Sequence, residues 1–216
     1  MIVFDNVTKS YDGDPAVSEI NFHIPKGEIA FLTGPSGAGK TTILKLIYGA
    51  EKPEHGTVLI GGMDVSGLGN DDIPLLRRSV GVVFQDFKLL RQRTVYHNVE
   101  LPLRILGMDG AEIRERVHQA LRLVGIRHKA EVLPDRLSGG EQQRVVIARA
   151  IVGGPTVLLA DEPTGNLDAD TAGEVMALFR EINARGTTIL VATHNREIFE
   201  RSGKAVLRLR KGRLLP

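Results

Sequence analysis

Cysteine is missing altogether, which removes disulfides and thiolate metal sites from consideration and agrees with a reducing cytosol. Long apolar runs are missing too. None approaches the roughly 18 to 20 residues needed to cross a bilayer, and Met1-Ile2-Val3-Phe4-Asp5 lacks the basic segment and apolar core of an export signal. A chain with these deficits is expected to stay where it is made. No Pro- or Ser-rich tract marks a linker, so the whole chain is expected to fold. Aromatics make up only 5% and are not interleaved with a basic stripe, which argues against a nucleic-acid partner. Asp86 to Leu137, 52 residues without sustained heptads, likewise excludes the long coiled coil of a DNA-repair clamp.

What is present suits one domain carrying an insertion: 216 residues, 42% hydrophobic and 25% charged. The net charge of +2 is unevenly spread, because residues 196 to 216 carry seven Lys/Arg against Glu197 and Glu200. There Val206-Leu207-Arg208-Leu209-Arg210 alternates with period two and Lys211-Gly212 reads as a turn, so the segment is expected to form a solvated terminal hairpin. Contact of this basic tail with anionic lipid is the alternative.

Short continuous apolar runs, each followed by a polar or glycine-rich turn and a helical pattern, predict a parallel sheet with crossover helices. The candidates are Ile29 to Thr33, Val80 to Phe84, Thr156 to Ala160 and Thr188 to Thr193. Their continuity predicts strands in the middle of the sheet, with functional residues at their carboxyl ends. Residues 2 to 8, 20 to 24 and Thr57 to Ile60 read as a small antiparallel sheet, separated by Gly13, Pro15, Gly27 and Gly56. Between Gln85 and Ser138 strand signals fade, while Ile113, Val117, Ala120, Leu121 and Val124 recur at helical spacing ahead of Gly125. A helical subdomain inserted at about 86–155 is the expectation.

Gly34-Pro35-Ser36-Gly37-Ala38-Gly39-Lys40-Thr41-Thr42 contains G-x-x-x-x-G-K-[ST] between the first core strand and a helix starting at Thr41. A triphosphate needs many donors at close range. Glycines let backbone N–H groups approach, the helix start adds positive potential, Lys40 reaches the β and γ phosphates and Thr41 can bind Mg2+. Asp161-Glu162 emerges from a buried strand, a costly placement that a cation explains: Asp161 would hold the Mg2+ shell and Glu162 would polarise the attacking water. Gln85 and His194 end two neighbouring strands and face the same edge. Ser138 and Glu141 satisfy capping-box spacing, while Gly139 and Gly140 expose further backbone donors at a positive helix end.

The order P-loop, Gln85, Leu137-Ser138-Gly139-Gly140-Glu141-Gln142, Asp161-Glu162, Asn166-Leu167-Asp168 and His194 resembles the ATP-binding-cassette (ABC) ATPases over essentially the full length. The resemblance implies an α/β P-loop NTPase fold with a RecA-like parallel-sheet core, an antiparallel β subdomain and an inserted α-helical subdomain. It implies ATP and Mg2+ as cofactors and a two-fold homodimer in which Ser138, Gly139 and Gly140 close over the P-loop of the second copy. By the same resemblance Tyr11 stacks on adenine, Gln85 couples Mg2+ and water to the helical subdomain, His194 holds the γ phosphate, and Asp168 communicates across the dimer. Thr164-Gly165-Asn166-Leu167-Asp168, Leu76-Arg77-Arg78-Ser79-Val80-Gly81, Phe84-Gln85-Asp86 and Arg93-Thr94-Val95-Tyr96-His97-Asn98-Val99 are most similar to the cell-division branch. That branch implies an integral membrane partner resembling FtsX, the division machinery, and a place on the cytoplasmic face of the inner membrane. A lipoprotein-release or macrolide-export ATPase is the alternative. Asn195 follows His194 where the family usually has aspartate, so no carboxylate role carries over there. The membrane partner is expected to dock near Asp86 to Leu103, where Phe87, Leu89, Leu90, Val95, Tyr96, Val99 and Leu101 offer apolar surface.

Overall fold

Two sheets divide the strands of the computed structural model, which describes residues 1–69, 71–200 and 202–215. Strands β1 (Ile2–Tyr11), β2 (Asp14–Ile24), β4 (His55–Ile60) and β5 (Met63–Asp64) form an antiparallel sheet in the order β2-β1-β4-β5. Strands β3 (Ile29–Thr33), β6 (Val80–Val83), β7 (Val157–Asp161), β8 (Thr188–Ala192), β9 (Ala205–Arg210) and β10 (Arg213–Leu214) form the second sheet, in the order β10-β9-β3-β8-β7-β6. From β9 to β6 every pairing is parallel; β10 returns antiparallel to β9.

Strand alternation builds two cores from one sheet. Ile29, Phe31, Leu158, Ala160, Ile189 and Val191 point into one; Ala30, Leu32, Val157, Leu159, Leu190 and Ala192 point into the other. The first core receives α3 (Val95–Ile105), α4 (Gly110–Leu123), α5 (Gly139–Ile151) and α6 (Ala169–Ala184). The second receives α1 (Lys40–Ile47), Leu76 of α2 (Ile73–Ser79) and the antiparallel sheet. Between β6 and β7 the described chain is helical apart from loops and two 3-10 turns. Phe179 of α6 is fully buried, and truncating such a side chain to alanine costs about 3–5 kcal/mol.

Several expectations shift. β6 is an edge strand, not a central one; it has only four residues, and short edges resist unwanted pairing. Pro15 and Gly56 lie inside β2 and β4 and do not separate strands. Pro15 is the second residue of β2, an edge strand, where a missing N–H is tolerated. The terminal β9-β10 hairpin forms, but it is not a free solvated ribbon: β9 pairs with β3 from Ala30 to Thr33, and Leu209 is buried. Its turn reaches the P-loop, with Gly212 N donating to Ala38 O at 3.1 Å.

Candidate functional site

The parallel strands β3, β8, β7 and β6 deliver their carboxyl ends to one edge. Register places Leu32 and Asp161 on either side of Ala192, and Val83 beside Ala160. The loops that follow therefore start within one or two rungs of each other, which is where α/β sheets bind ligands. Gln85 and His194 lie two residues beyond β6 and β8, not at their last positions.

After β3 the chain turns tightly and enters α1. Gly39 sits at φ +106 as the helix cap, and a Cβ there would come within 2.6 Å of the Ala16 carbonyl oxygen. A Cβ at Gly34 would overlap the Leu209 carbonyl. Both glycines are required by space, and Gly39 by its left-handed backbone as well. The first amides of α1 lack intrahelical acceptors and face the loop. Lys40 Nζ donates to the carbonyls of Gly34 (2.8 Å) and Pro35 (3.2 Å) and stands 4.0 Å from Glu162 Oε1.

Asp161 is the last residue of β7, and Thr41 Oγ1 donates to its Oδ2 at 3.3 Å. Burial pushes the Asp161 carboxyl above its ordinary range; the Thr41 hydrogen bond opposes this, Glu162 adds to it, and Lys40 opposes it. A desolvated carboxylate beside a threonine hydroxyl, with Gln85 on the same pocket, is a set of hard oxygen donors. Among the described residues no group of three or more His, Asp or Glu forms a complete metal cage. Mg2+ commonly uses one or two carboxylates together with substrate phosphates, and these donors fit that pattern.

Glu162 adopts φ +45, a left-handed conformation costing about 1–2 kcal/mol for a non-glycine residue. Its amide continues the ladder to Ala192 O at 2.9 Å, and its carboxylate meets His194 Nδ1 at 2.8 Å and His194 N at 3.4 Å. Nothing in Ala160-Asp161-Glu162 announces that twist. It is visible only in the fold, and it turns the carboxylate toward Lys40 and His194.

Tyr11, Pro35, Ser36, Gly37, Ala38, Gly39, Lys40, Thr41, Thr42, Gln85, Asp161, Glu162 and His194 line one cavity of about 600 Å³, joined by Ala16, which sequence reasoning did not find. Gly34 does not line it, but its carbonyl accepts from Lys40 Nζ, which does. Ser138, Gly139, Gly140 and Asp168 are not on this cavity. They sit on the starts of α5 and α6. The Ser138–Glu141 capping box is complete in both directions. Asn195 caps the next helix, α7 (Arg196–Glu200), through an acceptor bond from Glu197 N at 3.1 Å.

Two further residues organise the segment after Gln85. Arg149 donates to the carbonyls of Phe87 and Lys88, both at 2.7 Å, where the backbone runs at φ +56 and +51. Burial lowers the pKa of its guanidinium. Fully buried Asn98 accepts from Leu90 N (2.8 Å) and donates to the carbonyls of Leu90, Arg93 and Thr94 (3.0–3.1 Å). Of the apolar residues expected on this surface, Val95 and Val99 are wholly buried and Phe87, Leu89 and Tyr96 pack against the core. Leu90 and Leu101 remain exposed, together with Ile105 at 75%.

The family model described as ABC transporter matches residues 17–165. The cell division ATP-binding protein FtsE of Escherichia coli is 51% identical over 215 residues, covering 99% of this chain and 97% of that protein. FtsE of Bacillus subtilis is 50% identical over 213 residues, covering 98% and 93%. A dimeric ATP-binding cassette in a post-hydrolysis state, bound to ADP and Pi, has a TM-score of 0.91 and 36% identity, covering 100% of this chain and 97% of that one.

Proposed function

The chain belongs to the ABC transporter family of ATPases, and on that premise we propose that it works in cell division as the ATP-hydrolysing subunit of an FtsE/FtsX-like complex. The observation that carries the division reading is near-full-length identity of about half to FtsE proteins from two distant bacteria. The hydrolytic reading rests on Glu162, held between Lys40 and His194 at the mouth of the P-loop.

In this reading backbone amides of the P-loop and Lys40 bind the triphosphate, releasing Lys40 from the carbonyls of Gly34 and Pro35. Thr41, Asp161 and Gln85 hold Mg2+, which supplies charge neutralisation at the phosphates. Tyr11 stacks on the adenine. Glu162 orients and deprotonates the attacking water, and His194 contacts the γ phosphate while fixing the Glu162 carboxylate. Ser138, Gly139 and Gly140 reach the nucleotide of a second copy, which accounts for their distance from the cavity of their own chain, and Asp168 communicates across that interface. The dimer sits at the cytoplasmic face of the inner membrane. No helix among the described residues is long and apolar enough to cross a bilayer, so attachment runs through the membrane partner, which docks on the helices of residues 86–155 beside Leu90, Leu101 and Ile105.

Co-purification from solubilised membranes tests the assignment. An FtsX-like protein should be retained by the native chain, and depletion of the chain should arrest septation. Retention of an export-type permease, with normal division on depletion, would replace this reading with the transport alternative.

A further inference from the structure

Thr171 touches both of the segments that face the second copy. Its backbone N–H donates to Asp168 Oδ1 at 2.9 Å and its hydroxyl donates to Oδ2 at 2.7 Å, so both carboxylate oxygens are held. These two bonds keep the Asp168 carboxyl below the ordinary range. On its other side, the Thr171 methyl lies 2.7 Å from where a Cβ on Gly140 would stand. Gly140 has no positive φ, so its backbone does not demand glycine; the methyl needs the space. Leu167, one residue before Asp168, lies 3.8 Å from where a Cβ on Gly139 would stand, an ordinary van der Waals distance that does not itself require glycine.

An ordinary helix cap needs only the amide bond from Thr171 to Asp168. The hydroxyl bond and the methyl contact go further. The hydroxyl bond ties Thr171 a second time to Asp168, at the start of α6, and the methyl contact carries that unit across to the first turn of α5, an element separated from α6 by β7 in the chain. A threonine is suited to this because one side chain carries a donor and a methyl on the same carbon, and its β-branching restricts χ1.

We propose that Thr171 is a positioning residue for hydrolysis in trans, making Asp168 and the Ser138–Gly140 segment a single unit. Movement of Asp168 as two subunits close then carries the signature amides onto the partner's phosphates. This rests on the reading that the signature of one copy closes over the P-loop of another.

Steady-state ATPase kinetics, ATP affinity and thermal unfolding of Thr171→Ala, Thr171→Ser and Thr171→Val provide the test. Thr171→Ala should lower kcat about tenfold, the equivalent of about 1.4 kcal/mol in the barrier. ATP affinity of the monomer should stay unchanged. Thr171→Ser keeps the hydroxyl and Thr171→Val keeps the methyl, so both should fall between native and alanine; the backbone cap bond survives in all three variants, and the serine variant, which keeps both bonds to Asp168, guards against a failure to fold. The trans character is read by mixing. Native chain paired with a Lys40→Ala/Thr171→Ala double variant should lose more activity than native chain paired with Lys40→Ala alone, because the surviving P-loop then faces a displaced signature. A lowered melting temperature with native kcat, and equal activity in the two mixtures, would overturn the proposal. ATP-driven dimerisation of Glu162→Gln separates the two levels. If that variant never dimerises, the dimer reading itself fails; if it dimerises equally well with Thr171→Ala added and kcat is untouched, only the role of Thr171 fails.

Discussion

Glu162 Oε1 lies 2.8 Å from His194 Nδ1, and the two residues follow neighbouring strands that pair up to Asp161 and Ala192. A carboxylate only accepts, so with Glu162 ionised the ring donates from Nδ1, and Nε2 is the nitrogen that would make the proposed γ-phosphate contact. The left-handed turn at Glu162 is what brings this pair together. Substituting Glu162→Gln should keep the turn and ATP binding while slowing hydrolysis by about 10² to 10⁴, the range for a positioned general base. The ATP-bound dimer should accumulate in gel filtration. Hydrolysis at the native rate would remove Glu162 from the base role.

Lys40 donates to two backbone carbonyls, so in the proposed role its contribution to ATP binding would be the gain on exchanging them for phosphate oxygens. Lys40→Ala should weaken ATP affinity as well as hydrolysis, as measured by equilibrium titration with a fluorescent ATP analogue. Unchanged affinity would sink its assignment to the β and γ phosphates.

Mixing Lys40→Ala with Ser138→Arg subunits should restore part of the ATPase activity that each homodimer lacks. One composite site in the heterodimer carries both lesions and the other carries none, as two-fold symmetry requires. Demonstrated heterodimers without recovery would favour sites contained within one chain or obligatory cooperation between them.

Glu141 closes the capping box at the start of α5, and its bond from Ser138 N, with Lys129 nearby, holds its carboxyl below the ordinary range. A depressed pKa stabilises the fold above the ordinary carboxylate range, and that contribution is lost as pH falls through the native value. Glu141→Gln should therefore lower the melting temperature at pH 7, at a cost of about 1 kcal/mol or less for a partly solvated surface cap. The difference from native should shrink in acid. A gap that persists undiminished in acid would mean that the charge is not what stabilises the helix start.

Leu90→Asp and Ile105→Asp place a charge on exposed apolar positions and should abolish co-purification of the membrane partner while ATP binding by the isolated chain persists. Since Asn98 holds Leu90 through both of its backbone groups, Asn98→Ala should weaken the same interaction without touching the exposed surface. Folded Leu90→Asp and Ile105→Asp variants that retain the partner would move the docking surface elsewhere.

The parallel core, the P-loop, the paired carboxylates and the order of the motifs were legible in the amino-acid sequence. They depend on local patterns: continuous apolar strands, glycines at fixed spacing and a capping box within four residues. These determine which residues reach one sheet edge, because parallel strands deliver every carboxyl end to the same side. Tertiary structure decided what local pattern does not encode. Strand order put β6 at the edge and inserted β9 beside β3, since pairing partners are chosen across the whole chain. The same long-range pairing set the turn at Gly212 against the P-loop and Ala16 into the cavity that the P-loop lines. Burial separated Val95 and Val99 from Leu90 and Leu101 within one apolar segment. The strained turn at Glu162 and the contact of Thr171 with Gly140 are also tertiary outcomes, because each exists only where two elements distant in sequence leave room for a single geometry.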